Sequence, residues 1–311
     1  MISSDLHEAV RQLSAGKLVG IPTETVYGLA ANALDPEAVA CIFEAKNRPS
    51  FDPLIVHIGQ MAELDRLVTE VPEQARHLME AFWPGPLTLI LRKSELIPDI
   101  VTSGLPHVGL RMPKHPLALR LLQSLPFPLA APSANPFGYV SPTTAQHVMD
   151  QLEGKLALVL DGGPSHVGVE STIVSFAEGS PKVLRLGGIS MEELHAVLGE
   201  AIPSQLSQSQ PSAPGQLDSH YAPHRAIALL DHGSAAPSLA KGETWIPFAP
   251  HPAAKESLST DGSATSAAHR LFALLRRLDY PEAGTMFVEK APESGLGRAV
   301  NDRLMRAAHR A

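Results

Sequence analysis

"LVGIPTETVYGLAANALDPEAVACIFEAKNRPSFDPLIVHI", residues 18–58, sets the terms of the fold. An apolar strand (18–22) runs into a loop rich in hydroxyls, a helical pattern follows over 36–46, and a second apolar strand (54–58) closes the unit. Asp35 and Pro36 suit an N-cap and a first helical position, and Val39, Ile42 and Phe43 make one apolar face. Short strands alternating with helices read as α/β around one mostly buried sheet. The alternation continues, with strands at 87–91, 108–112, 128–132, 156–160, 171–176 and 182–186. Helical patterns fall at 5–15, 61–69, 72–82, 115–124, 143–152 and 191–198.

A Ser/Gln/Pro run at 202–216 has little to bury and reads as a linker. Beyond it, strands at 226–231, 244–249 and 285–289 and helices at 264–278 and 296–309 predict a second, smaller α/β unit. The expected division is a catalytic domain at 1–202, a linker and lid at 203–224, and a small C-terminal domain at 225–311.

Composition narrows the function. Hydrophobic residues make up 44% and charged residues 18%, as in a soluble globular protein. A single cysteine, Cys41, excludes an internal disulfide and a multi-cysteine metal site. The start has no signal-peptide pattern and no apolar run is long enough to span a bilayer, so a cytoplasmic location is expected. Net charge is −7, of which residues 1–202 carry −8 and residues 203–311 carry +1. An acidic main domain argues against broad binding to a phosphate backbone. The familiar glycine-loop nucleotide motifs and the HExxH and GxSxG motifs are all missing.

Several residues nonetheless point to a small anionic ligand. Lys46 continues the apolar face of its helix and Arg48 follows two residues on, a pair suited to clamping an anion or simply to a helix C-terminus. In "AAPSANPFGYVSPTT" (130–144), Ser133 and Asn135 follow an apolar strand, and Ser141 before Pro142 reads as an N-cap at a helix N-terminus; ordinary turn chemistry gives the same pattern. "DGGPSHVGVESTIV" (161–174) permits close backbone approach before Glu170 and Ser171, as a plain loop also does. His57 lies in a buried strand, where a core role competes with a ligand role. Arg111, inside the apolar "VGLRM", needs an anionic partner, and a ligand carboxylate is one candidate. Thr23, Thr25 and Tyr27 follow a strand end, where α/β sheets bind ligands.

In order and spacing, "PTETVYGL", "FEAKNRPSFDPLIVHI", "WPGPLTLIL", "VGLRMPKHP", "AAPSANPFG" and "DGGPSHVGVESTIV" resemble the threonylcarbamoyl-AMP synthases, the YrdC-like family, over residues 5–200. "APGQLDSHYAPH" and "GLGRAVNDRLMRAA" look like the linker and last helix of the longer, two-domain members. The resemblance implies an open, twisted mixed sheet with flanking helices. It implies that L-threonine, bicarbonate and ATP give threonylcarbamoyl-AMP and pyrophosphate, with Mg²⁺ held mainly by ATP phosphates and no protein metal site. A partner complex then carries the threonylcarbamoyl group to tRNA; no membrane and no strong direct nucleic-acid binding are expected. By motif, Thr25, His57, Arg111 and Ser171, with Thr23 beside them, contact threonine. Lys46 and Arg48 are the catalytic cations and, with Asp52, His107, Ser133, Asn135, Ser141, Arg185 and Tyr221, face ATP. Three positions depart from the family pattern: Asp52 for a frequent asparagine, His107 for a small hydroxyl residue, and Leu186 for a frequent proline. Two further readings compete: a carbamoyltransferase handling carbamoyl-adenylates, and an RNA-binding regulator using the basic last helix (Arg298, Arg303, Arg306, Arg310).

Overall fold

The computed structural model describes residues 1–207, 212–216, 220–280 and 283–309. Ten strands form the main sheet: β1 (Ile2–Ser3), β2 (Val19–Ile21), β3 (Gly28–Asn32), β4 (Ile55–His57), β5 (Leu87–Arg92), β6 (His107–Arg111), β7 (Leu129–Ala130), β8 (Leu158–Leu160), β9 (Thr172–Ser175) and β10 (Lys182–Arg185). Their order is β1-β8-β2-β3-β7-β4-β6-β5-β9-β10, with parallel and antiparallel pairs mixed. The three later strands, β11 (Ile227–Leu230), β12 (Thr244–Ile246) and β13 (Met286–Glu289), make a separate parallel sheet with β13 in the centre. The α/β class and the smaller C-terminal unit match the sequence reading.

Helix Pro36–Lys46 forms as the sequence predicts. The Asp35 side chain accepts from the backbone N–H groups of Glu37 and Ala38, and Asn47, in the left-handed region at φ 51°, ends the helix before Pro49 is reached. Two expectations need correction. Strand β3, "GLAAN", lacks the β-branched and aromatic residues that mark strands, and its pairing with β2 and β7 makes it one. Ser141 is not an N-cap: helix Ala145–Leu152 is capped by Thr144, which accepts from the His147 N–H at 3.2 Å.

The core of the C-terminal unit is not self-contained. Phe272, Leu271, Val288 and Leu304 pack with Val26, Val140, Val169 and Tyr221, which come from loops at the edge of the main sheet and from the linker. Gly168, at φ +82°, lies so close to helix Ala264–Leu278 that a Cβ there would meet Ala268 O at 2.4 Å and His269 Cα at 2.5 Å. Gly163 in the same loop has a similar φ of +79° with open space around it. Gly163→Ala should therefore cost only the strain of a left-handed residue, about 1 kcal/mol, and Gly168→Ala about 2–4 kcal/mol. Guanidinium unfolding of the two variants checks this; equal losses would mean that the two units do not press on each other at Gly168.

Candidate active site

The loop after β2 is built by its hydroxyls. Thr23 Oγ1 receives the N–H groups of Thr25 and Val26, both at 3.2 Å, donates to Val26 O at 2.6 Å, and lies 2.8 Å from Thr25 Oγ1. Tyr27 turns away into the protein. Its hydroxyl donates to Gly163 O at 2.7 Å and accepts from Gly162 N at 3.2 Å, tying this loop to the one before β9. The parallel register of β4 and β6 sets His57 beside Arg111. The partner demanded by Arg111 belongs to the chain itself: Glu24 Oε1 lies 2.7 Å from Arg111 Nη2, with both side chains buried. Burial, and then the Arg111 charge, lower the His57 pKa to about 3, so the ring is neutral near pH 7. Its Nδ1 has no hydrogen-bond partner among the described residues.

Three further basic side chains, Lys46, Arg48 and Arg185, line the same cavity. Lys46, fully buried at the end of its helix, donates to Ser133 O at 2.5 Å and to Asn135 O. Burial, followed by the neighbouring Arg48 charge, holds its pKa well below the ordinary lysine value. Arg48 pairs with Asp52 at 2.9 Å. The carboxylate that replaces the frequent asparagine is thus matched by a cation, although burial still raises its pKa. Arg185 donates to Ser171 O at 3.0 Å, to Ser171 Oγ at 2.9 Å and to Pro214 O at 3.2 Å. Asn135 donates to two loop carbonyls, and its side-chain oxygen has no partner among the described residues.

Thr23, Thr25, His57, Arg111 and Ser171 line one cavity together with Lys46, Arg48, Ser133, Asn135, Arg185 and Tyr221. Three predicted site residues lie elsewhere. Asp52 and Ser141 stand behind the lining, Asp52 on Arg48 and Ser141 donating its hydroxyl to Glu170. His107 opens β6 at the end opposite Arg111, about 13 Å along the strand, and lines a separate cavity with Ile90, Lys182 and Ser212. Glu170 and Glu24 are site elements that sequence reasoning gave no role, Glu170 being visible only as the residue that opens "ESTIV", whereas Pro214 and Gly215 belong to the segment read as linker and lid.

Tyr221 lines the cavity and also packs on the C-terminal unit. Its ring lies 5.4 Å from Phe272 and 4.1 Å from His220, and its backbone is in the left-handed region at φ 63°. His220 is buried too, and its pKa falls to about 3 for that reason first. The enclosed volume is about 50 Å³. The basic last helix does not form a surface stripe. Arg303 and Arg306 are buried in ion pairs with Glu170 and Asp302, and Arg298 pairs with Glu192 at 2.7 Å; Arg310 lies outside the described residues.

Comparison with known proteins fits this architecture. A Sua5/YciO/YrdC family model described as "Telomere recombination" matches residues 11–187, and one described as "Threonylcarbamoyl-AMP synthase, C-terminal domain" matches residues 189–309. The chain is 42% identical to the threonylcarbamoyl-AMP synthase of Pyrococcus abyssi, covering 94% of this chain and 90% of the relative. It is 40% identical to that of Bacillus subtilis, covering 97% and 92%. The crystal structure of P. abyssi Sua5 complexed with L-threonine superposes with a TM-score of 0.90 at 40% identity, over 97% of this chain and 94% of that one. A nucleotide-bound HypF structure shares only the fold, with a TM-score of 0.54 at 21% identity over 61% of this chain and 30% of that chain.

The two neutral histidines make stability depend on pH. An unfolded ring takes a proton below about pH 6.5, whereas these buried rings do so only near pH 3. Between those values the unfolded chain binds more protons, so stability falls as pH drops, by about 2 kcal/mol per ring at pH 5. His57→Gln and His220→Gln should each remove about that much of the acid-induced loss. Unfolding midpoints at pH 7.5 and 5.0 check this; identical losses in wild type and both variants would contradict the neutral, buried state.

Proposed function

The chain belongs to the Sua5/YciO/YrdC family, and from that premise we propose how it joins L-threonine, bicarbonate and ATP into threonylcarbamoyl-AMP and pyrophosphate. One observation carries the reading: a single cavity gathers two unlike sets of side chains. One set is Arg111, His57 and the hydroxyls of Thr23, Thr25 and Ser171, suited to a small zwitterion that itself carries a hydroxyl. The other is Lys46, Arg48 and Arg185, suited to phosphates, and the two sets meet where Arg185 donates to Ser171.

In this reading Arg111 takes the threonine carboxylate while Glu24 fixes the guanidinium from within the protein. Neutral His57 offers a lone pair rather than a second positive charge beside Arg111. The threonine nitrogen bonds to the bicarbonate carbon as a C–O bond of bicarbonate breaks, and the oxygen leaves as water with a proton from the amine, giving the carbamate. A carbamate oxygen then bonds to the α-phosphorus as the bond from that phosphorus to the pyrophosphate oxygen breaks. Lys46, Arg48 and Arg185 balance the charge that gathers on the leaving pyrophosphate, so catalysis is positioning plus electrostatic stabilisation. Ser133 and the Asn135 side-chain oxygen add polar contacts on the same wall. Asp52, Ser141 and His107 act, if at all, from outside the lining.

Glu24, Asp52 and Glu170 are each already paired with an arginine, so a Mg²⁺ ion would be held by the ATP phosphate oxygens, where it would supply neutralisation of phosphate charge. Lys46, Arg48 and Arg185 orient the phosphates. Residues 1–202 act as the catalytic domain, 203–224 as linker and lid, and 225–311 as the domain that seats the lid. Of the lid, residues 217–219 lie outside the described residues, as do 208–211 of the linker. A space of about 50 Å³ is far below the several hundred Å³ of a ligand pocket. Pro214, Gly215, His220 and Tyr221 therefore swing away to admit substrates and return to exclude water. The product, a mixed anhydride, is consumed by a transferase complex acting on tRNA in the cytoplasm. No helix among the described residues is long and apolar enough to cross a membrane.

Pyrophosphate release should require both threonine and bicarbonate, and serine should be roughly 10–200-fold poorer because it lacks one methyl. Release unchanged when threonine is omitted would overturn the reading. Arg111→Ala should raise the threonine KM more than the ATP KM, and Lys46→Ala and Arg48→Ala should lower kcat about 100-fold or more with the circular dichroism unchanged. Arg111→Ala acting on the ATP KM alone would reverse the two subsites.

A further inference from the structure

We propose that Arg303, on the last helix of the C-terminal unit, is a positioning residue that latches the lid onto the catalytic domain; this rests on the function proposed above. Helix Gly297–Ala308 carries Arg303 inward until the side chain has no exposed surface. Its guanidinium joins four places at once. Nε donates to Glu170 Oε2 at 2.8 Å, Nη1 to Asp302 Oδ2 at 2.6 Å and Nη2 to Leu186 O at 2.7 Å. Its flat face lies 5.0 Å from the centre of the Tyr221 ring.

These partners are not a generic interface between domains. Glu170 and Tyr221 both line the cavity. The other Glu170 oxygen accepts the Ser141 hydroxyl, so this carboxylate fixes the loop that continues from Asn135. Leu186 directly follows Arg185, whose guanidinium holds both Ser171 and the lid carbonyl of Pro214. Arg303 thus bonds to Glu170 of the cavity wall and to the backbone carbonyl that follows Arg185, while offering the face of its guanidinium to Tyr221, which leaves when the lid opens. A hydrogen-bonded carboxylate would resist that separation; a ring resting on a guanidinium separates without leaving a polar group unpaired. The latch stays assembled because its charges balance. Arg306 Nε donates to the second Asp302 oxygen at 3.0 Å, so two arginines and two carboxylates share the buried space. Burial raises the Glu170 pKa, yet Arg303 and Arg185 outweigh that and keep it ionised.

A half-buried arginine serves as the comparison. Arg276 also crosses between the units, donating to Ser141 O at 3.2 Å, to Val140 O and to Gln151 Oε1 at 2.8 Å, but it touches neither Glu170 nor Tyr221. Arg303→Lys keeps one positive charge and loses the planar fork and face; Arg276→Gln loosens the docking alone. Each is measured as the full chain for melting temperature, ATP affinity by calorimetry without threonine, protection of residues 203–224 from protease by ATP, and threonylcarbamoyl-AMP recovered per pyrophosphate. For Arg303→Lys we expect about tenfold weaker ATP binding, loss of protease protection, and a several-fold fall in adenylate per pyrophosphate. Arg276→Gln should lower the melting temperature and leave those three readouts near wild type. If both variants lose them in proportion to their melting temperatures, or if neither does, Arg303 is only a clip between domains. Should Arg303→Lys not fold, Tyr221→Leu breaks the same contact with Arg303 intact, and unchanged protection and ratio would overturn the latch. Wild-type protein without threonine-dependent pyrophosphate release would instead refute the function, while the calorimetry and protease readouts would still judge the latch.

Discussion

Four cationic side chains, Lys46, Arg48, Arg111 and Arg185, are buried around one small cavity, and the surrounding structure is arranged to make that tolerable. A buried charge needs a partner or loses its proton. Arg48 has Asp52 and Arg111 has Glu24, each carboxylate lying behind its arginine rather than in the cavity. Among the described residues Lys46 hydrogen-bonds to two backbone carbonyls, and burial disfavours its charged form. The outcome is a set of donors whose directions are fixed before any substrate arrives. Preorganisation of this kind is worth more than flexible surface charge, because no reorientation is needed when charge develops in the transition state.

The fold meets the constraint with strand ends. His57 and Arg111 are set side by side by parallel register, and Ser171 and Arg185 flank β9 and close β10. Three loops from this edge then send Val26, Val140 and Val169 into the core of the C-terminal unit. The second unit is therefore bound to the site by hydrophobic contact as well as by Arg303 and Arg276. Any motion of the lid occurs against a surface that is itself part of the catalytic domain's edge.

How much of this was legible in the sequence follows from how local each cause is. Helix Pro36–Lys46 was legible because cap, proline and apolar face agree within eleven residues, and Lys46 came with it. Strand β3 was not, because its alanines take the strand conformation only through their neighbours. Arg111 announced a need for an anion, but the sequence does not say that Glu24 meets it, since that depends on how β2 and β6 are placed in the sheet. Glu170 and Arg303 were hidden for the same reason. A helix with several arginines reads as a basic surface, and only tertiary packing turns Arg303 inward. His107 shows how far strand geometry reaches: a place in a motif suggested the nucleotide, and the structure sets the residue at the end of β6 opposite Arg111.

The chemistry explains why so polar a cavity should close so completely. Threonylcarbamoyl-AMP is a mixed anhydride, and water is the competing nucleophile throughout its life on the enzyme. The cations do not depend on water for partners: Arg48 and Arg111 have their carboxylates, Arg185 reaches Ser171 and the Pro214 carbonyl, and the Tyr221 ring lies against the Arg303 guanidinium. The left-handed backbone at Tyr221 is compatible with this arrangement only where surrounding contacts hold it. Those contacts, Phe272 and His220 among them, come from the C-terminal unit and the linker. The buried cations come from residues up to Arg185, and Pro214, Gly215, His220 and Tyr221, from later in the chain, complete the lining of the cavity.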